Sequence, residues 1–170
     1  PGATEAIADG KDQDCDGTEL CYVDGDGDLA RSADGATVIS EDMECDGAGE
    51  ADGSASVDCD DLDASVHPAA TETPADGIDQ DCDGAELCFT DYDGDGYRPD
   101  ETTEVPGDLL CTGDGIVGAS VPAGDCDDGG PTVNPEGVEQ PADGVDSDCD
   151  GLEQCYVDAD GDGYRTADGE

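Results

Sequence analysis

The run Asp12-Gln-Asp14-Cys15-Asp16-Gly17 returns as Asp79-Gln-Asp81-Cys82-Asp83-Gly84 and again as Asp146-Ser-Asp148-Cys149-Asp150-Gly151, at an offset of 67 residues each time. The same offset carries Pro1…Glu5 onto Pro68…Glu72 and Pro135…Glu139, and Asp58-Cys59-Asp60-Asp61 onto Asp125-Cys126-Asp127-Asp128. Three of the four basic residues, Arg31, Arg98 and Arg165, keep that spacing too. Self-similarity at a fixed period marks a tandem repeat, in which each unit leans on its neighbours. The copies run 1–67, 68–134 and a partial 135–170. Between motifs the chain drifts, as in 35–55 against 102–122, so the copies separate held positions from tolerant ones. The chain opens at Pro1 without Met and is entered inside a repeat. It is expected to be a segment of a longer array, or a polymer whose ends neighbours complete.

A repeat of this kind has little to bury. Leu, Ile, Val and Phe make up only 23 of 170 residues, Trp is absent, and the formal net charge is −45. Chains this poor in apolar residues and this charged do not fold by hydrophobic collapse alone. A conventional globular enzyme is disfavoured. Nucleic-acid binding, which needs a basic face, is excluded. Disulfides and bound metal are the remaining ways to hold a core-poor chain, and ten cysteines supply the first. Both point to an oxidising compartment, secreted or on a cell surface. No apolar run suggests membrane insertion or a signal peptide. No stretch keeps a helical apolar period, and 26 Gly and 9 Pro interrupt every candidate helix. Brief strands are expected at 20–23, 87–90 and 154–157. The expected fold is irregular and small, mostly loops with short β hairpins: a calcium- and disulfide-stabilised tandem repeat, extended rather than globular.

Three kinds of acidic loop carry the chemistry. The first is D-x-D-x-D-G: Asp91, Asp93 and Asp95, then Asp158, Asp160 and Asp162, and, with Leu29 in the glycine's place, Asp24, Asp26 and Asp28. This is the first half of an EF-hand calcium loop, in which alternate carboxylates converge on one ion and glycine permits the turn. Position twelve lacks the usual Glu, but position eleven is acidic in every copy, so Asp34, Glu101 and Asp168 are the expected closing ligands. Pro99 and the nearby glycines forbid flanking helices. The second kind has cysteine in its fourth place: Asp12, Asp14 and Asp16; Asp79, Asp81 and Asp83; Asp146, Asp148 and Asp150. Glu19, Glu86 or Glu153 follows at its eighth place. The third is Asp58, Asp60 and Asp61 with Glu72 downstream, matched by Asp125, Asp127 and Asp128 with Glu139.

A lone D-x-D-x-D-G is often just a solvated turn. Six in phase are another matter, because unneutralised aspartates two residues apart repel. All-oxygen ligation selects a hard cation, and calcium tolerates irregular geometry better than magnesium. Calcium is therefore expected, at about two to three ions per repeat. His67, the only histidine, stands where the next copy has Asn134 and reads as a turn residue. No triad, phosphate loop or redox C-x-x-C is present, so catalysis has no candidate residues.

The order Y-x-D-x-D-G-D-G-Y, D-C-D-D, P-x-x-x-E and D-G-x-D-x-D-C-D-G resembles the metal-binding-motif repeats of large secreted bacterial proteins, a group named after the MopE copper-binding protein. The resemblance covers essentially the whole chain, with Asp125–Gly151 and Tyr156–Arg165 its most specific stretches. The acidic loops are also similar to thrombospondin type-3 repeats. The resemblance implies a secreted or surface calcium-dependent module, usually in tandem. It does not imply copper here, because with its cysteines oxidised the chain lacks the His or thiolate set that copper prefers. One departure stands out. Where that family usually carries a Cys before the D-C-D-G, this chain has Ala8, Ala75 and Ala142, and it has Cys21, Cys88 and Cys155 six places after the motif's own cysteine.

Two disulfide schemes fit. The local one joins Cys15–Cys21, Cys45–Cys59, Cys82–Cys88, Cys111–Cys126 and Cys149–Cys155. The long one joins Cys21–Cys45, Cys59–Cys82, Cys88–Cys111 and Cys126–Cys149, leaving Cys15 and Cys155. Loop-closure entropy does not separate them, differing by under about 2 kcal/mol per bridge. The relocated cysteines and the complete pairing favour the local scheme. The expected role is structural: a rigid stalk, spacer or filament of a surface or matrix protein that meets neighbouring repeats or copies of itself end to end. The rival role is metal sequestration or mineral nucleation.

Overall fold

The computed structural model describes residues 2–164. No helix occurs among them. Short strands are set in long loops, and four disulfides cross-link the chain. The chain divides into two compact units. One comprises the residues up to Thr73 with Ile78–Ala85; the other comprises Pro74–Gly77 with the residues from Glu86 onward.

In the first unit, β1 (Glu19–Val23) lies between β3 (Thr37–Ser40) and β4 (Glu50–Ala51), antiparallel to both, with Cys21 opposite Val38 and Tyr22 opposite Ala51. A separate two-stranded parallel pair joins β2 (Arg31–Ser32) to β5 (Val57–Asp58), with Ser32 opposite Asp58. This pairing carries the D-C-D-D motif to the EF-like loop. The second unit repeats the plan. There β6 (Ala85–Thr90) lies between β7 (Thr102–Pro106) and β8 (Ile116–Val117), and Arg98 bridges in parallel to Ala123.

Sulfur and carboxylate dominate the core, with small residues such as Ala30, Ala51 and Ala85 between them. The largest side chains buried outright are Glu19, Glu86, Asp58, Cys21, Cys88 and Ser40, whereas Leu29, Leu62, Leu110 and Val138 are exposed. Burial along β1 and β6 largely alternates, placing Cys21 and Cys88 inward next to the inward Glu19 and Glu86. A buried carboxylate is tolerated only if its oxygens are bonded. Glu19 accepts the amides of Lys11 and Leu20 at 3.0 and 2.9 Å. Glu86 accepts those of Ala75 and Gly77 at 3.0 and 3.2 Å. The glutamates at the eighth place thus bind the chain to itself.

The cysteines adopt the long scheme: Cys21–Cys45, Cys59–Cys82, Cys88–Cys111 and Cys126–Cys149, with Cα atoms 5.5 to 5.8 Å apart. Cys15 and Cys155 are free and exposed. This corrects the local scheme favoured on sequence, and the reason is directional. Cys82 and Cys149 sit at positive φ (61° and 56°) within their loops, while Cys88 points into a sheet whose buried sulfur partner, Cys111, comes from the segment after β7. The two cysteines of each local pair therefore belong to different surroundings. Ala8, Ala75 and Ala142 share a positive φ (53°, 59° and 62°), and each amide bonds the carbonyl of Leu20, Leu87 or Gln154. The 67-residue period is thus a period of backbone geometry. The expected strand at 154–157 is absent, although 20–23 and 87–90 form as expected.

Candidate metal centres

Every D-x-D-x-D loop is held by its own amides. In the first, Asp24 accepts Gly27 N and Leu29 N at 2.7 and 3.1 Å, and Asp28 accepts Ala30 N at 2.7 Å. In its counterpart, Asp91 accepts Gly94 N and Asp95 N at 2.8 and 3.1 Å. Leu29, in the glycine's place, takes a φ of 77° beside the 89° of Gly96. These bonds use only part of the acceptor capacity of each carboxylate. Asp24, Asp26 and Asp28 gather oxygens within 4.8 Å of one another, as do Asp91, Asp93 and Asp95.

The D-C-D-D motif closes these loops. The Gly25 amide donates to Asp61 Oδ1 at 2.8 Å, and the Tyr92 amide donates to Asp128 Oδ1 at 2.6 Å. That contact brings in Asp58, 1% exposed, and Asp125, 6% exposed. Each has one oxygen on an amide (Asp60 N at 2.9 Å, Asp127 N at 2.8 Å) and a second, Oδ2, buried with no partner. Asp26 Oδ2, Asp28 Oδ2 and Asp93 Oδ2 are orphaned in the same way. Burial, together with the charges of Asp28, Asp61 and Asp60, holds the Asp58 carboxyl above the usual aspartate range. Burial and then Asp28, Asp58 and Asp24 do the same to Asp26. In the second site burial raises Asp93, with Asp95, Asp91 and Asp128 adding to it, and raises Asp125, with Asp95, Asp93 and Asp128 adding. Buried carboxylates with unpaired oxygens facing one another are costly unless a cation or protons join them. We call these two clusters composite sites.

A third carboxylate set closes differently. Glu5, Asp12 and Asp14 converge, and so do Glu72, Asp79 and Asp81. Glu5 accepts Asp14 N at 2.8 Å, and Glu72 accepts Gln80 N and Asp81 N at 2.6 and 3.1 Å; the Oε2 of each is buried without a partner. Glu139 likewise accepts Ser147 N and Asp148 N. Burial raises Asp148, and the charges of Asp150, Glu139 and Asp146 add to it.

These arrangements redraw the expected groupings. Glu72 and Glu139 close the cysteine-bearing loops; they do not join the D-C-D-D motif. Asp34 is exposed and accepts Ser32 Oγ and Ala36 N, shaping the turn into β3; Glu101 is exposed as well. The fourth carboxylate facing the first two EF-like loops is instead Asp58 or Asp125, contributed across a parallel strand pairing in the first and a parallel bridge in the second that local spacing cannot reveal. Asp60 and Asp127 are exposed, as are Asp16, Asp83 and Asp150, whose Oδ1 atoms bond the amides of Thr18, Ala85 and Leu152. Asp158, Asp160 and Asp162 form the same amide ladder on an exposed loop, with Asp158 accepting Gly161 N and Gly163 N; these and other backbone amides lower its pKa. Asp168 lies outside the described residues. Glu5, which the sequence reading left out of its candidate ligands, joins Asp12 and Asp14, although its place in the P-x-x-x-E repeat was a sufficient signal.

Arginine secures the composite sites. Arg31 lies 4.6 Å over the Tyr22 ring and donates from Nε to Ala55 O at 3.2 Å; Arg98 lies 3.5 Å over Phe89 and donates to Val121 O at 3.0 Å. Each ties the segment entering D-C-D-D to the central strand of its unit.

The family described as "Putative metal-binding motif" matches residues 1–19, 58–88 and 125–152. No curated protein and no solved structure matches the chain. The matched stretches take in the glutamate-closed loops, and the second and third begin at or within a D-C-D-D motif. The family's model thus matches the chain three times, in register with its own 67-residue period.

Proposed function

We propose that this chain is an extracellular calcium-binding structural repeat, a stalk, spacer or filament segment whose fold is completed by its ions. The observation that carries the reading is Asp58: a nearly fully buried carboxylate with an unpaired oxygen set among Asp26 and Asp28. Carboxylate oxygens converge at the composite and glutamate-closed sites, and the sulfurs beside Asp58, those of Cys59 and Cys82, are held in a disulfide, which suits a hard divalent cation and gives copper no thiolate there. Four disulfides suit an oxidising compartment, and no helix among the described residues is long and apolar enough to cross a membrane. Two composite sites, three glutamate-closed sites and the Asp158–Asp162 loop would take about six ions and offset about 12 negative charges. Extended, end-to-end stacking follows from a repeat that buries little within itself.

The test is chelation with the disulfides intact. Ions that hold the fold are expected to leave slowly at millimolar calcium, and their removal should expand the chain in small-angle scattering and expose it to proteases. Weak, rapidly exchanging ions with an unchanged radius would favour sequestration instead.

A further inference from the structure

The D-x-D-C-D-G loop occurs three times with one backbone. Cys15, Cys82 and Cys149 have φ of 63°, 61° and 56°. In each copy the next two amides return to the loop's first aspartate: Asp16 N and Gly17 N to Asp12, Asp83 N and Gly84 N to Asp79, Asp150 N and Gly151 N to Asp146. Two of the three cysteines are bonded to the cysteine of a D-C-D-D motif, Cys59 or Cys126. The third, Cys15, is free and exposed.

The bonded copies show what this loop accepts. Cys59 and Cys126 are themselves exposed, and each sulfur lies 3.6 Å from the carbonyl oxygen of the loop's first aspartate, Asp79 or Asp146. The bridge therefore forms on the outer side of the loop, and the strand that leads into Cys59, Val57–Asp58, pairs with β2 and not with the loop. Cys155 differs. Its counterparts Cys21 and Cys88 are 0% exposed on central strands, so a partner there must also bring strands.

We infer that the Asp12–Gly17 loop is a docking site for an external D-C-D-D segment with an unpaired cysteine, which bonds to Cys15 as Cys59 bonds to Cys82. The partner is an extended acidic segment of the form Val-Asp-Cys-Asp-Asp from another repeat of this type. The inference rests on the repeat reading and not on which ion fills the sites. Formation from two thiols releases two protons and passes two electrons to a disulfide oxidant. From an activated disulfide it is an exchange, in which the Cys15 thiolate attacks the segment's sulfur and displaces the leaving thiolate with no net oxidation.

The probe is a synthetic peptide of residues 55–63 carrying its cysteine as a mixed disulfide with thionitrobenzoate, offered to the intact chain in calcium. Peptide mapping by mass spectrometry then reads labelling at Cys15 and Cys155. A preference of about tenfold for Cys15 is expected from local docking, and it should vanish for a scrambled peptide of the same composition. Cys15→Ser should leave only the slow labelling at Cys155. Equal labelling of the two cysteines by the native peptide, or a Cys15 preference that survives scrambling, would overturn the inference.

Discussion

The two composite sites are assembled from the same pair of motifs, yet their surroundings differ at three corners. In the second site Asp95 Oδ2 receives Asn134 Nδ2 at 2.8 Å; in the first, His67 stands at that sequence position and Asp28 Oδ2 has no hydrogen-bond partner. Asp128 accepts both the Tyr92 amide and the Thr90 hydroxyl, whereas Asp61 accepts Gly25 N where Val23 offers no hydroxyl. Gly96 turns the second loop, while Leu29 is forced through the same turn in the first. The carboxylates that face the ion are kept, and the groups that hold them vary. The second site should be the better preorganised and the tighter of the two.

The largest way to break the comparison is to remove the carboxylate contributed by the distant motif. Asp58→Asn should weaken the first composite site by about 100-fold and leave the second untouched, and Asp125→Asn should do the reverse, because each site is built from residues of one compact unit and shares none with the other. Calorimetric titration of each variant reads this directly. If Asp34→Asn and Glu101→Gln produced the larger losses, the loop would be closing locally as an EF-hand does.

Next in size is the arginine clamp. Arg98→Lys keeps the charge but loses the planar stack on Phe89 and the Nε bond to Val121 O. The second composite site should weaken by about tenfold while the glutamate-closed sites keep their affinity. The counterpart Arg31→Lys, starting from a looser stack, should do less to the first site.

Legibility followed the distance between interacting residues. Loop chemistry is local: the D-x-D-x-D spacing and its glycine announce themselves within six residues, and the aspartate–amide bonds lie within the same span. The loop-rich class was equally plain from the shortage of Leu, Ile and Val. What sequence could not show was which loops share a site, because Asp58 meets Asp28 through the parallel pairing of β2 with β5. The disulfides hid for the same reason: Cys88 and Cys111 are chosen by a sheet, not by spacing. Residues 152–157 make the point from the other side. They carry the β1 pattern in sequence, but no strand pairs with them among the described residues, and Tyr156 and Val157 remain exposed.

Acidity sharpens the comparison through sign. In the ion-free chain Asp26, Asp58, Asp93 and Asp125 are raised above the ordinary 3.8. A raised folded-state value means the folded chain holds those protons more tightly than the unfolded one. Their stabilising contribution is present below 3.8 and is lost as pH rises through the elevated values. Ion-free protein should therefore melt higher in acid than at neutrality. Ion-loaded protein should show the opposite slope, since protons compete with the cation. Relief of general charge repulsion has the same sign in the ion-free chain. The reporter is thus the difference from an Asp58→Asn, Asp125→Asn double variant, whose melting in chelator should depend less steeply on pH.

The smallest effect isolates backbone strain from chemistry. Leu29 must adopt φ of 77° so that its amide can reach Asp24 Oδ2 at 3.1 Å, and its side chain is 80% exposed, so little packing offsets that strain. A non-glycine residue in this left-handed region costs about 1–2 kcal/mol, of which glycine's greater freedom in the unfolded chain cancels part. Leu29→Gly should accordingly stabilise the first unit by about 0.5–1 kcal/mol in denaturant titrations at saturating calcium. The reciprocal change is equally clean: a Cβ added at Gly96, where φ is 89°, meets nothing within 4 Å, so Gly96→Ala introduces strain without a clash. It should cost the second unit about 1 kcal/mol and narrow the gap between the two sites. A stabilising Gly96→Ala would mean that the glycine turn is not what sets the sites apart, and would leave Asn134 and Thr90 to account for the difference.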